Sequence, residues 1–368
     1  MSRIDLKASV LPKFFQQLYD YLSETKKSGD NIKLLGTLKC IANIYKYGKR
    51  EDLLPYTLPT LQSLIEQDLL VSTQLSLIRK FHIKIVQRVG TTFFKSKIAK
   101  WRYERGSRVL MNNINNQASL NGVTNSNDNQ DKEENDEKIP NEIEEIIEQL
   151  LFGLKDKDTI VRWSSAKGIG RITNRLPKDM AEDVLSSVID LFTFVENDSA
   201  WHGGCLAIAE LGRRGLLLPQ QLPIVVPIIL KALVFDKKLG NYSLGRNVRD
   251  AACYVCWAFA RAFEPHILHP YVNQIAGSLL IVTVFDREVN CRRAASAAFQ
   301  ENVGRQGQFP HGIDILTKCD YYAVGQMQNC YLNLSSFIAS FDEYKIQIID
   351  HLLEHKFNHW DQSVRELT

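Results

Sequence analysis

The residues best placed to do chemistry stand near the end of the chain, in His351-Leu-Leu-Glu354-His355. On a helix, histidines four apart share one face, and the glutamate beside them can act as a general base. This is the H-x-x-E-H spacing of inverted zinc peptidases, in which a bound metal activates water for hydrolysis. His359 extends the series by a further turn. A catalytic zinc takes three protein ligands and keeps one position open. A solvated helix face explains the same spacing without any metal. On that second reading the chain is not an enzyme and needs neither metal nor cofactor.

Cys253-Tyr-Val-Cys256 has the spacing of a redox dithiol. No strand precedes it, however, and Trp257-Ala-Phe-Ala continues an apolar helix, so these read as buried core thiols. The seven cysteines are scattered at 40, 205, 253, 256, 291, 319 and 330. That odd, unpatterned set suggests reduced thiols, not a disulfide framework. Gly168-Ile-Gly170 lacks the third glycine and the strand of a dinucleotide fingerprint, and no G-x-x-x-x-G-K-[ST] loop is present. Gly212-Arg-Arg-Gly215 has the look of a helix C-terminus, with cations at the carbonyl end and glycine beyond it.

Basic residues recur about once per repeat: Lys167 and Arg171, Arg213 and Arg214, Arg246 and Arg249, Arg292 and Arg293, then Arg305. If they share a face, they make a positive stripe suited to an acidic partner. Lys167, Arg171, Arg213, Arg214, Arg246, Arg292, Arg293 and Arg305 are the candidate partner-binding residues. Glu210, Asp250, Glu264 and Glu301 are also at hand to neutralise them within the chain.

The elements that carry these residues announce themselves by repetition. Asp158-Thr-Ile-Val161-Arg162-Trp163 is followed by Asp198-Ser-Ala-Trp201, Asn247-Val248-Arg249-Asp250, Asp286-Arg-Glu-Val289, Tyr321-Tyr-Ala-Val324 and Asp361-Gln-Ser-Val364-Arg365. The anchors 161, 201, 248, 289, 324 and 364 lie 35 to 47 residues apart. Paired-helix repeats of the HEAT and armadillo kind have that period. The predicted fold class is therefore all-α, an α-solenoid of HEAT/armadillo-like helical hairpins. First helices are expected over 143–154, 181–195, 222–234, 267–284 and 342–357, second helices over 159–174, 199–214, 247–262, 288–303 and 322–340. Asp158, Asp198, Asn247 and Asp361 are expected to cap second helices. Arg162, Arg249 and Arg365 then sit near a helix start, where a cation opposes the macrodipole and calls for a partner. Pro227 is expected to kink or shorten its helix.

The apolar fraction of 45% and charged fraction of 24% are ordinary, and the net charge of +3 is too weak to argue for nucleic acid or membrane. The N-terminus has no apolar signal core, and no uninterrupted apolar run reaches the ~18 residues a membrane helix needs. A cytosolic protein is expected. Residues 1–111 read as helical repeats, from the spacing of Leu11, Phe14, Phe15, Leu18, Tyr19 and Leu22 and of Ile32, Leu35, Leu38, Ile41 and Ile44. Residues 112–140, rich in Asn and acids, read as a disordered loop. Residues 141–368 read as a repeat array that stops inside an anchor phrase, at Arg365-Glu-Leu-Thr368, as an incomplete portion would.

Four long phrases stand out: Val161-Arg-Trp-Ser-Ser-Ala-Lys-Gly-Ile-Gly, Trp201-His-Gly-Gly-Cys-Leu-Ala-Ile-Ala-Glu-Leu-Gly-Arg-Arg-Gly, Val248-Arg-Asp-Ala-Ala-Cys-Tyr-Val-Cys-Trp and Asn290-Cys-Arg-Arg-Ala-Ala-Ser-Ala-Ala-Phe-Gln-Glu-Asn-Val-Gly. They resemble the tubulin-folding cofactor D (tubulin-specific chaperone D) family. Phe309-Pro-His-Gly-Ile-Asp-Ile-Leu316 and His359-Trp-Asp361 fit as well, and the resemblance covers about 150–368. It implies a non-enzymatic cytoplasmic, cytoskeleton-associated scaffold. Such a scaffold captures β-tubulin, assists α/β-tubulin assembly with sister cofactors C and E, stimulates GTP hydrolysis on tubulin with them, and associates with a small Arf-like GTPase. It implies no nucleic acid and no membrane insertion. A HEAT array holding another cargo, of transport-receptor or phosphatase-regulator type, is the alternative.

Overall fold

The computed structural model describes residues 10–95, 139–193, 195–240 and 242–368. Most of the segment expected to be a loop, 112–138, lies outside them. The described chain forms two compact units: residues up to Gly153 with Lys167–Val184, and Leu154–Ala166 with Leu185–Thr368.

The first unit contains α1 (Leu11–Ser28), α2 (Asn31–Tyr47), α3 (Thr57–Gln67), α4 (Ser76–Phe93) and all but the last residue of α5 (Glu142–Leu154). Two further helices, α6 (Thr159–Thr173) and α7 (Lys178–Ile189), contribute to both units. Gly29 at φ 69° ends α1, and the Asp30 carboxylate accepts from the Ile32 and Lys33 amides to start α2. The buried stripe of α2 is Leu34, Leu38, Ile41 and Tyr45, whereas Ile32 is 85% exposed. Phe15 stacks on Tyr56 at 4.3 Å, and the Tyr19 and Tyr45 hydroxyls both bond Thr60. A Cβ at Gly90 would meet Ile172 at 2.8 Å and Ile146 at 2.9 Å. Only glycine lets α4 approach these neighbours so closely.

The second unit continues with α8 (Asp198–Arg213), α9 (Leu222–Leu233), a hairpin of β1 (Lys237–Leu239) and β2 (Tyr242–Leu244), α10 (Arg246–Ala262), α11 (Val272–Phe285), α12 (Val289–Gln306) and α13 (Gly312–Lys318). Then come α14 (327–339), containing a π turn at Cys330–Leu334, α15 (Asp342–His351), running into a π turn at Leu352–Lys356, and α16 (Gln362–Leu367). The alternation of helices follows the repeat expected from the anchors. The hairpin and α13 do not appear in that expectation. The hairpin is too short to show alternation, with the antiparallel register Lys237↔Leu244 to Leu239↔Tyr242. Helix α9 also runs through Pro227.

Helix starts depart from the expected caps. Asp361 does cap α16, accepting from the Ser363 amide at 3.0 Å. Asn197, not Asp198, caps α8 by accepting from Ala200. Gly245, at φ 132°, precedes α10 and makes no side-chain cap, so Asn247 already lies inside the helix. Val324 sits in a 3-10 turn ahead of α14.

The recurring element of the repeat is the fourth residue of the second helix. It is Arg79 in α4, Arg162 in α6, Arg249 in α10, Arg292 in α12 and Arg365 in α16. Arg162, Arg292 and Arg365 each donate Nη1 to the carbonyls six and five residues upstream, closing the turn before their own helix. Arg79 does the same to Thr73. Arg249 reaches back 14 residues to Phe235 because the β1–β2 hairpin is inserted between. Trp201 holds this place in α8 and donates its indole N–H to the Thr193 carbonyl at 3.2 Å. Cys330 holds it in α14 and faces the Val324 carbonyl at 3.5 Å. Three of the arginines also reach the next repeat. Arg162 donates Nε to His202 Nδ1 at 2.7 Å, Arg249 forks onto Asp286 at 2.6 and 3.2 Å, and Arg292 donates to the Val324 and Gly325 carbonyls.

No uninterrupted apolar run is that long, yet by length and composition Pro265–Phe285, 21 residues whose most apolar window has a mean hydropathy of 1.4, is apolar enough to cross a membrane. Of its most apolar window, 61% is buried inside the protein, where α11 packs on α12, α9 and α15.

Candidate partner-binding surface

In the second unit α8 packs on α10, and α10 on α12. Half-buried aromatic and arginine side chains run along these helices. Trp163 of α6 lies 5.5 Å from Tyr254 of α10, ring centre to ring centre. Tyr254 stacks on Trp257 at 5.7 Å with planes 17° apart. The Arg261 guanidinium sits 4.5 Å over the Trp257 ring and reaches Glu301 of α12 at 2.6 Å. Glu301 also takes Arg305, one turn along. Tyr254, Trp257 and Arg261 share a face because they are spaced three and four apart on one helix. Burial pulls the Glu301 carboxyl up, but Arg305 and Arg261 overcome it and hold the group below its usual range. Burial likewise raises the Tyr254 phenol.

At the end of α8 the fully buried Glu210 sits 3.5 Å from Arg213 and 3.3 Å from Arg214. Arg213 also donates to the Tyr254 hydroxyl at 3.5 Å. The glycine end of α8 follows expectation: Gly215 is at φ 73° and Leu216 donates back to Leu211. Three of the expected partner-binding residues, Arg213, Arg214 and Arg305, thus border the aromatic row. Arg246 is exposed at the first residue of α10, and Arg293 lies 3.9 Å over Tyr321. Arg292 is not on a surface at all: it is 3% exposed, and its guanidinium is taken up by four backbone carbonyls. Lys167 and Arg171 are exposed on the part of α6 that belongs to the first unit. Trp163, Tyr254, Trp257 and Arg261 escaped the sequence search. Their signal was the i, i+3, i+7 spacing of two aromatics and an arginine on one helix.

The arrangement offers planar rings and guanidinium groups, the side chains that dominate protein–protein hot spots. It offers no nucleophile and base in mutual reach. The other chemical motifs fare differently. His351 is buried and stacks on Phe285 at 5.9 Å, while the π turn at Leu352–Lys356 breaks the α-helical register across Glu354 and His355. Burial, with Lys356 and His355 adding, holds the His351 imidazole down at about 2, so it stays neutral. Among the described residues no three His, Cys, Asp or Glu side chains gather to hold a metal ion. Cys253 and Cys256 are buried free thiols, and burial pushes the Cys256 thiol up to about 12.

Residues 77–313, from α4 to the start of α13, match the family described as tubulin-specific chaperone D-like ARM repeats. The chain belongs to that family. Its ARM-repeat architecture is the α-solenoid of helical hairpins expected from the anchor spacing, and the matched region contains the whole aromatic–arginine row. The tubulin-specific chaperone D of Dictyostelium discoideum is 44% identical over 352 residues, covering 91% of this chain and 23% of that protein. The tubulin-folding cofactor D of Schizosaccharomyces pombe is 28% identical over 350 residues, covering 91% of this chain and 30% of that protein. The chain therefore spans less than a third of the length of these family relatives. A crystal structure of Kap121p superposes over 98% of the chain and 37% of its own, at 12% identity and a TM-score of 0.45, a likeness too loose to bear on function.

Proposed function

We propose that this chain is the part of a tubulin-folding cofactor that grips a tubulin subunit, with β-tubulin as the cargo. The observation that supports this most is the row Trp163, Tyr254, Trp257 and Arg261, inside the region matched to the chaperone D-like family. The row is built to hold a protein surface and leaves GTP hydrolysis to the partner. Stimulation of that hydrolysis, joint action with cofactors C and E, association with an Arf-like GTPase, and a cytoplasmic, cytoskeleton-associated location extend the same reading. Arg213, Arg214, Arg246, Arg293 and Arg305 supply positive charge in the same unit. The test is co-elution of the purified chain with β-tubulin from cytosol. Trp257→Ala should weaken capture at least about tenfold, the scale of a hot-spot aromatic, with helix content unchanged. Undiminished capture, or a different dominant cargo, overturns the proposal. Reversing Arg213 and Arg214 to glutamate is a poorer probe, because it sets like charges beside buried Glu210.

A further inference from the structure

A second positively charged surface lies in the first unit, and nothing in the proposed function uses it. Lys80, Lys84 and Arg88 form a stripe at four-residue spacing along α4. Lys167, Arg171 and Arg175 form another along α6 and just beyond its end. The two helices are held side by side. A Cβ at Gly168 would sit 3.5 Å from the Gln87 Cβ, and one at Gly90 would sit 2.8 Å from Ile172. Lys46, at the end of α2, completes the cluster and lies 4.4 Å over the Tyr47 ring.

Charge this dense ordinarily finds acids within its own fold. Here it does not. Among the described residues none of Lys80, Lys84, Arg88, Arg171 and Arg175 makes an ion pair with an acidic side chain. Arg88 donates to the Ala42 carbonyl and Arg175 to the Arg171 carbonyl, so each remains a net cation. Burial lowers the Lys84 ammonium, and Lys80, Arg88, Lys167 and Lys46 push it in the same direction. Arg88 is lowered by burial and then by Arg171. The cluster repels itself, and an incoming anion relieves that repulsion.

We propose that Lys80, Lys84, Arg88 and Arg171, with Lys46 and Arg175 at the margins, dock an extended acidic polypeptide segment. The α4 stripe covers eight residues of helix rise, about 12 Å. An extended chain advances ~3.4 Å per residue, so that stripe faces about four residues of an acidic stretch. A protein occupant fits better than nucleic acid, because the chain carries a net charge of only +3, far from the strongly basic balance of nucleic-acid binders. This surface is separate from the aromatic row. It rests on the scaffold reading only in taking the occupant to be polypeptide.

The experiment is fluorescence anisotropy of the full chain with a labelled peptide of about ten residues alternating Glu and Gly. Lys80→Gln, Lys84→Gln and Arg171→Gln together should weaken binding at least about tenfold. Lys231→Gln, Lys237→Gln and Lys238→Gln, which remove the same net charge from α9 and β1, should leave it within about twofold. Lys80→Gln with Lys84→Gln alone, a milder change at two half-buried positions on one helix, should still cost about threefold and guards against misfolding of the triple variant. Equal binding by the triple variant and the parent overturns the proposal. So does tighter binding of a single-stranded oligonucleotide or of phosphatidylserine vesicles than of the peptide. β-Tubulin co-elution is read in parallel. Capture retained while peptide binding is lost separates the two surfaces, and capture lost with Trp257→Ala while peptide binding persists does so in the other direction.

Discussion

Arg249 shows how one side chain can tie repeats together. It forks onto Asp286 and bonds the Phe235 carbonyl, with 7% and 3% of the two charged side chains exposed. Removing one partner of such a buried pair strands the other charge away from water. Arg249→Ala should therefore cost about 3–5 kcal/mol of unfolding free energy in the second unit, measured by denaturant titration. Arg162 instead meets a neutral acceptor, His202. Burial is the main cause and Arg162 the second in holding that imidazole down at about 3. Unfolded, it would titrate near 6.5. The folded state thus stays unprotonated where the unfolded state gains a proton, so the stability is complete above about pH 6.5 and is lost as pH falls from there towards 3. Between pH 7 and pH 5 the loss from His202 alone should be about 2 kcal/mol. His202→Gln, whose amide oxygen can accept the same Arg162 bond, should flatten that slope. Unchanged pH dependence would show that the imidazole is not held neutral.

The second helices are the elements that matter most, and their starts are where local sequence and observed structure part company. Asp361 caps as its type suggests, yet Asn197 displaces Asp198 and Gly245 displaces Asn247. An Asx residue can cap from either of two adjacent positions, and packing selects between them. The arginine, tryptophan or cysteine that closes the preceding turn keeps its place while the cap shifts. The small residues of α8 are a packing demand. A Cβ at Gly203 would run into the Leu154 carbonyl oxygen, which is backbone and cannot swing away. Gly203→Ala should cost about 1–3 kcal/mol, seen as a lower denaturation midpoint, despite alanine's better helix propensity. A stabilised variant would mean that the α5–α6 turn yields freely.

At the scale of the whole molecule, the proposed capture of a partner would draw on charge as well as on rings. Raising salt from about 0.1 to about 1 M shortens the screening length from ~10 to ~3 Å. β-Tubulin co-elution should fall with salt. The part lost in Trp257→Ala should persist at high salt, because ring burial is not screened. The repeat architecture and its family were legible in Val161-Arg-Trp, Trp201-His-Gly-Gly and Val248-Arg-Asp, where long phrases recur at repeat spacing. The division of the basic residues was not. Arg292 and Arg293 are neighbours in sequence, yet one is sunk among carbonyls and the other lies over Tyr321.

The sequence by itself determined the helices, their pairing and the family, because a period of about forty residues and a capped amphipathic helix are properties of neighbours along the chain. Tertiary structure alone decided which cations are structural and which face outward. It also decided that Trp163 and Tyr254, far apart in sequence, come within 5.5 Å of each other, and that the α4 and α6 stripes merge into one patch. Burial and electrostatic field are set by what packs alongside, and residues some forty to ninety positions away supply most of that here.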